Sequence, residues 1–377
     1  MRATVLKDPA LVKLAGRFVR LEIDTEKPGN APFLERFPIE VWPTFLVVDP
    51  ATEKAMLKWP GTATPADLVK LLGDGERAVK GGAGEGPEAI LARADRENAS
   101  GNEKEAIRLW RLALERGGPR WERRPRVLES LAMALQASEQ LEACADLARK
   151  EAPGMARGQS FANVVSVGLS CALSAEEEGW APLAREKLQP LAREAVKLPG
   201  VLADDRSALY QALFETRTAE KDAADARKLG EEWWAFLVAE RARGRSGATR
   251  VMLDSWIVAA ALALDDPGRA LPLLLASERE EPGDYNPPYR VAELYLELKD
   301  YDKALAASDR ALRLAYGPRK LRVLGQRATI LERKGDPAAA RRVLEDAVSY
   351  AATLPGAQRS QATLDRLQAR LARMGGS

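Results

Sequence analysis

From Pro87 to Met374 the polar and apolar positions repeat with helical spacing, in stretches rich in Ala, Leu, Glu and Arg that break off at regular intervals. Small residues mark the period. Pairs twelve residues apart recur as Ala94/Ala106, Ala132/Cys144, Ala172/Ala184, Ala212/Ala224, Ala292/Ala304 and Ala328/Ala340, with Val258/Ala270 as a degenerate copy. Ala113, Ser277, Ala311 and Ala347 stand seven residues further on, two helical turns away and so on the same face. Two helices that cross closely have room for little more than a methyl group at the crossing, which is what such a spacing predicts. Ser100-Gly101-Asn102, Asp266-Pro267-Gly268 and Lys334-Gly335-Asp336 supply turns between paired helices. The reading is about seven helix pairs over 87–377, closed by a capping helix near Gln361–Met374, with Pro190 kinking one helix. Ala304 falls at a crossing and Ala307 on the exposed side.

The first 72 residues follow other periods. Leu6–Leu14 has helical spacing, whereas Val19, Leu21 and Ile23 alternate with Arg20 and Glu22, predicting a strand that ends at Asp24. A short helix is expected around Ala31–Phe37. Thr44–Val48 is an apolar run suited to a buried strand, Asp49–Thr52 a turn, Ala55–Trp59 its hairpin partner, and Pro65–Leu72 a closing helix. Gly73–Gly86 reads as a glycine-rich linker that marks a domain boundary. Its glycines lack a preceding strand and a Lys-Ser/Thr, so they do not form a phosphate-binding loop.

The helical spacing resembles the tetratricopeptide repeat (TPR) family, whose unit is 34 residues; Ala292, Tyr295, Tyr301, Ala304 and Ala311 within Pro287–Pro318 carry the best match. The resemblance implies an α-solenoid whose concave face binds other proteins or peptides. Arg290, Tyr295, Arg319 and Lys320 are the groove candidates, the basic groups being suited to a carboxylate on a partner peptide. The alternative for the turns around them is a plain inter-repeat connection. The run Arg241-Ala242-Arg243-Gly244-Arg245 reads as a solvated loop.

Ile39-Glu40-Val41-Trp42-Pro43-Thr44, leading into an apolar strand, resembles the cis-proline loop of thioredoxin-like domains. Carried over, Pro43 is the candidate cis-proline, Trp42 flanks a client peptide, and Thr44 opens the buried strand. The family's Cys-x-x-C is absent from the chain. Residues 1–7 look like the tail of the helix that follows that motif, so the first strand and the redox pair are expected before Met1. Either the chain starts late, or the module has lost its chemistry. Together the parts resemble bacterial thioredoxin-family proteins with a C-terminal TPR array. The implied fold is mainly α, a TPR-type solenoid preceded by a partial α/β thioredoxin-like domain over 1–72. The implied functions are a thiol–disulfide oxidoreductase in a longer form, or a non-catalytic TPR scaffold.

Composition narrows this further. The chain has 377 residues, 57 basic against 55 acidic, and no histidine. Near-neutral charge argues against nucleic acid as partner, and the lack of histidine removes His-based catalysis and most zinc sites. No catalytic residue, metal or cofactor is expected, nor a membrane span. The start has no apolar signal region, which as written places the chain in the cytoplasm. Cys144 and Cys171 are read first as small packing residues; a disulfide between adjacent repeats is the alternative.

Overall fold

The computed structural model describes residues 8–14, 16–81, 84–175 and 177–374. The expectation for residues 1–7 lies outside these. The described chain is mainly α. After helix α1 (Pro9–Val12) and helix α2 (Ala31–Arg36) come strands β1 (Thr44–Asp49) and β2 (Lys54–Pro60), then helix α3 (Pro65–Lys80). Seven helix pairs follow among the described residues: α4 (Pro87–Ala99) with α5 (Glu103–Gly117), α6 (Arg124–Ala137) with α7 (Leu141–Glu151), and α8 (Gln159–Ser174) with α9 (Ala181–Ala195). The next is α10 (Ala203–Ala219) with α11 (Ala223–Arg243). A short α12 (Gly247–Val251) precedes α13 (Asp254–Ala263) with α14 (Leu271–Glu280). Then come α15 (Asn286–Glu297) with α16 (Tyr301–Leu314), α17 (Pro318–Lys334) with α18 (Pro337–Thr353), and the single α19 (Gln361–Arg373).

One closing device turns the chain within six of these pairs. The amide of the residue opening the second helix donates to a carbonyl five residues back: Asn102 to Glu97 and Gln140 to Leu135 at 2.8 Å, and Asp222 to Arg217, Asp266 to Ala261, Asp300 to Tyr295 and Asp336 to Leu331 at 2.9 Å. This is the 6→1 bond of a Schellman turn, which needs one left-handed residue just before it. Gly101 and Gly335 fill that place at φ 80° and 88°, but so do Glu139, Lys221, Asp265 and Lys299 at φ 55–61°. The turns are therefore alike although only some carry the glycine that a sequence reader looks for.

The crossing positions are sealed. Ala94, Ala106, Ala113, Ala132, Cys144, Ala172, Ala270, Ala292, Ala304, Ala311, Ala328, Ala340 and Ala347 are all fully buried. Two expectations fail. Ala224 is exposed and Ala226 is the buried alanine at the start of α11, so the fourth pair is shifted by two residues. Ala307 is fully buried beside Ala304, because α16 packs against both α15 and α17; Ala306 is the exposed alanine of that turn. Pro190 lies inside a continuous α9.

The chain divides into two compact units, Met1–Phe18 with Val41–Ala235 and Val19–Glu40 with Phe236–Ser377. In the first, β1 and β2 form an antiparallel hairpin with Val47 opposite Leu57 and an irregularity after Val47. Its apolar side joins Leu11, Val47, Leu57, Trp59, Ala63, Leu68 and Leu71 in one core. The expected linker is a correction: Gly73–Lys80 is the second half of α3. Gly75 is there because α3 passes close to β1, where a Cβ would lie 2.6 Å from Val47 Cγ2. Asp74, 2% exposed, meets Arg123 Nε at 3.1 Å and also pairs with Arg77. Arg126 holds Asp95 through two bonds of 3.0 Å. Local composition reads as flexible, but tertiary packing stiffens it.

The strand expected at Val19–Ile23 is also corrected. No strand forms there, and Val19 and Leu21 are 90% and 77% exposed. Alternation makes a strand only where a neighbouring strand takes up its hydrogen bonds; this segment instead belongs to the second unit. Arg241, expected in a solvated loop, is 5% exposed near the end of α11, where it bonds Asp254 Oδ1 at 2.8 Å and Ser277 Oγ at 2.9 Å. Cys144 of α7 and Cys171 of α8 are bonded to each other across neighbouring pairs, so the disulfide alternative replaces the packing one.

Candidate functional site

The four groove candidates have different immediate partners. Arg319, at the start of α17, is engaged by the chain's own residues: its Nε pairs with Glu26, its Nη2 lies 3.5 Å from Asp24, and its Nη1 donates to the Tyr316 hydroxyl. The Tyr316 hydroxyl in turn donates to Asp24 Oδ2. The guanidinium stacks near the rings of Tyr316 and Tyr285, at 4.6 and 5.5 Å from their centroids. Gln358 Nε2 donates to the carbonyls of Thr25 and Lys27, each at 2.8 Å. Partial burial works against charge on Asp24, but the Tyr316 hydroxyl, the Glu26 amide and the Arg319 charge hold its carboxyl below the usual range. Burial likewise opposes the charge on Arg319, and Glu26 and Asp24 more than offset it, so its pKa is raised.

Lys320, the next residue, points elsewhere. Its ammonium sits 4.8 Å from the Tyr350 ring, in a cleft of about 560 Å³ that α16, α17 and α18 line with Asp309, Leu312, Arg313, Leu324 and Asp346. Arg290, on α15, faces Glu293 and Asp254. Burial raises Glu293, opposed by Arg290. Asp254 is raised to about 6 by burial, against the Ser277 hydrogen bond and the charges of Arg241 and Arg290. Tyr295, near the other end of α15, has the Lys303 ammonium 5.5 Å above its ring. On the first helices of these pairs, Gln326 Nε2 reaches the Tyr289 carbonyl at 3.0 Å and Arg322 Nη1 the Tyr285 hydroxyl at 3.2 Å.

In the first unit Trp42 is 61% exposed, the Trp42–Pro43 peptide is cis, and Thr44 begins β1 with its hydroxyl donating to the Val41 carbonyl at 2.6 Å. A second constellation was not anticipated from the sequence. Thr62, just past β2, donates to Asp205 Oδ2 of α10 at 2.9 Å. Gln159 Nε2 of α8 donates to the same oxygen at 2.6 Å and to Asn163 Oδ1 at 3.1 Å, and Asn163 Nδ2 donates to Glu129 Oε1 of α6 at 2.6 Å. Glu129, 3% exposed, is pushed up to about 7 by burial, against hydrogen bonds from Asn163 and Ser160 and with the charges of Asp67 and Asp205 adding to the rise. Burial raises Asp205 to about 6, against Thr62 and with Asp204 adding. No sequence signal groups these residues, which come from four separate elements. Among the described residues no group of three or more His, Cys, Asp or Glu is arranged to hold a metal ion, and no helix is long and apolar enough to cross a membrane.

No curated protein matches the chain. Among solved structures it is similar to the TPR2AB-domain:pHSP90 complex of yeast Sti1, at 16% identity and TM-score 0.29 over 76% of this chain and 98% of that one. It is also similar to the assembly chaperone of RpL4, Acl4 (15% identity, TM-score 0.38, 77% and 98%), and to yeast Tom70 (10%, 0.23, 76% of each). Residues 286–352, which hold α15 to α18 and the sealed crossings at Ala292, Ala304, Ala311, Ala328, Ala340 and Ala347, match the tetratricopeptide repeat family model.

Proposed function

We propose that this chain is a protein-binding module whose C-terminal helix pairs present their first helices, α13, α15 and α17, to a partner protein. The observation that carries the reading is the match at 286–352 laid on helix pairs whose crossings are all packed by small residues, leaving polar side chains such as Arg290 and Arg322 on the first helices. A stack of helix pairs with a half-exposed polar and aromatic face offers a surface suited to recognition of a partner. In the N-terminal part a hairpin and the helix that opens at Pro65 stand in the order the thioredoxin-like resemblance calls for, but no strand forms at Val19–Ile23, and the reading takes no function from that resemblance. The two cysteines are fully buried and bonded to each other, so the reading is an adaptor rather than an oxidoreductase.

Affinity purification from cells of the natural source, with quantified co-purifying proteins, tests this. The Arg290→Glu/Arg322→Glu double variant should lose at least nine-tenths of its specific partners while its circular dichroism stays native. Undiminished recovery would refute partner binding through these helices.

A further inference from the structure

Residues 24–27 are held in the second unit the way a bound peptide is held. They lie in no helix or strand, so neither a helix nor a sheet fixes their course. They form a turn, the Lys27 amide donating to the Asp24 carbonyl at 3.2 Å and the Glu26 amide to Asp24 Oδ1 at 3.1 Å, and three features of the repeats hold that turn. Arg319 and Tyr316 grip the two carboxylates, of Asp24 and Glu26, spaced one residue apart. The Gln358 amide bonds the carbonyls of Thr25 and Lys27 at 2.8 Å each, which reads the shape of the turn but no particular side chain. Gly317, at φ 51°, allows the Glu26 carbonyl to approach so closely that a Cβ would collide with it. The Arg319 guanidinium also lies against the rings of Tyr285 and Tyr316, which add contacts that do not depend on the carboxylates. Side-chain charge, backbone direction and close approach are thus all read at one place.

We propose that Tyr316, Gly317, Arg319 and Gln358 form a recognition site for a turn of the type Asp-x-Glu on a partner protein, and that residues 24–27 occupy it as an intramolecular competitor. This rests on the protein-binding reading above but concerns a different surface. Helix α2, which follows the segment, buries Ala31 and Leu34 and packs against the turn that carries Gln358. It therefore keeps the competitor tethered beside the site, at an effective concentration on the order of millimolar for so short a connection. A partner segment must exceed that to enter, and anything that removes the two charges opens the site.

The test is fluorescence anisotropy on the full chain with a labelled peptide copying Glu22–Gly29. The Asp24→Asn/Glu26→Gln variant should bind it at least tenfold more tightly than the native chain, and adding Arg319→Ala should erase the gain. A second measurement leaves the native carboxylates in place: a fluorophore on Thr25→Cys, the native cysteines being buried and bonded. Its emission should change saturably with the peptide and stay constant with a peptide carrying Asn and Gln in place of the acids. Equal affinity of native and opened chains, a gain that survives Arg319→Ala, or a label blind to the acidic peptide overturns the proposal. If that happens while partner recovery still depends on Arg290 and Arg322, the inference alone fails and the module stands.

Discussion

Replacing Glu129 by glutamine should flatten the pH dependence of the first unit's stability. Glu129 is buried on α6, hydrogen-bonded by Asn163 and Ser160 of α8, and faced by Asp67 of α3 and Asp205 of α10, whose charges oppose its own. Its folded pKa, about 7, exceeds the ordinary 4.5. The folded protein therefore binds this proton more tightly than the unfolded chain does. Stability from this group is complete below pH 4.5, declines as pH rises, and levels off above 7. A tenfold difference in proton affinity is worth about 1.4 kcal/mol, so the full decline is about 3 kcal/mol. Asp205, raised to about 6, adds a smaller decline in the same direction, and the two titrate as a coupled pair. Glutamine keeps the accepting oxygen and removes the charge. Denaturant midpoints from circular dichroism at pH 5 and pH 8 measure the effect. Native protein should lose stability between the two, and Glu129→Gln should lose much less and be the more stable at pH 8. Equal pH dependence in the two proteins, or a variant weaker at pH 8, would show that the carboxylate is charged and satisfied in the fold.

Reducing the Cys144–Cys171 bond should cost the first unit about 3.5 kcal/mol, the chain entropy released with a loop of this length; thiol titration of the unreduced, denatured protein should find no free thiol, and two would refute the pairing. Ala304→Leu should destabilise by about 1–3 kcal/mol by overpacking a sealed crossing, and Ala306→Leu by almost nothing; thermal melts that treat them alike would mean the assignment of the crossing face is wrong. Lys299→Gly should stabilise by about 1 kcal/mol, because Lys299 adopts φ 61° without being glycine. An unchanged or lower melting temperature counts against that turn.

The helix pairs, most of their crossing positions and the hairpin Thr44–Pro60 are legible in the order of residues alone. These are short-range properties: a methyl-sized gap recurs because two adjacent helices must cross, and alternation over a turn folds back on itself. The left-handed turn at Lys299 was invisible, since the turn is imposed by the helices on either side and not by a glycine. The rest waited on long-range packing, and in each case the reason is that a face or charge does not name its partner. Gly73–Lys80 looked like a linker until α3 was pressed against Val47. Cys144 and Cys171 could pack or pair until α7 met α8. Val19–Ile23 alternated but found no strand beside it. Arg319 was readable as a carboxylate binder, but that the carboxylates are those of Asp24 and Glu26, nearly 300 positions away (separation 293 for Glu26), depends on where the chain returns. The acidic constellation around Glu129 joins α3, α6, α8 and α10. Separation along the chain conceals such a cluster, and only the fold makes its charges neighbours.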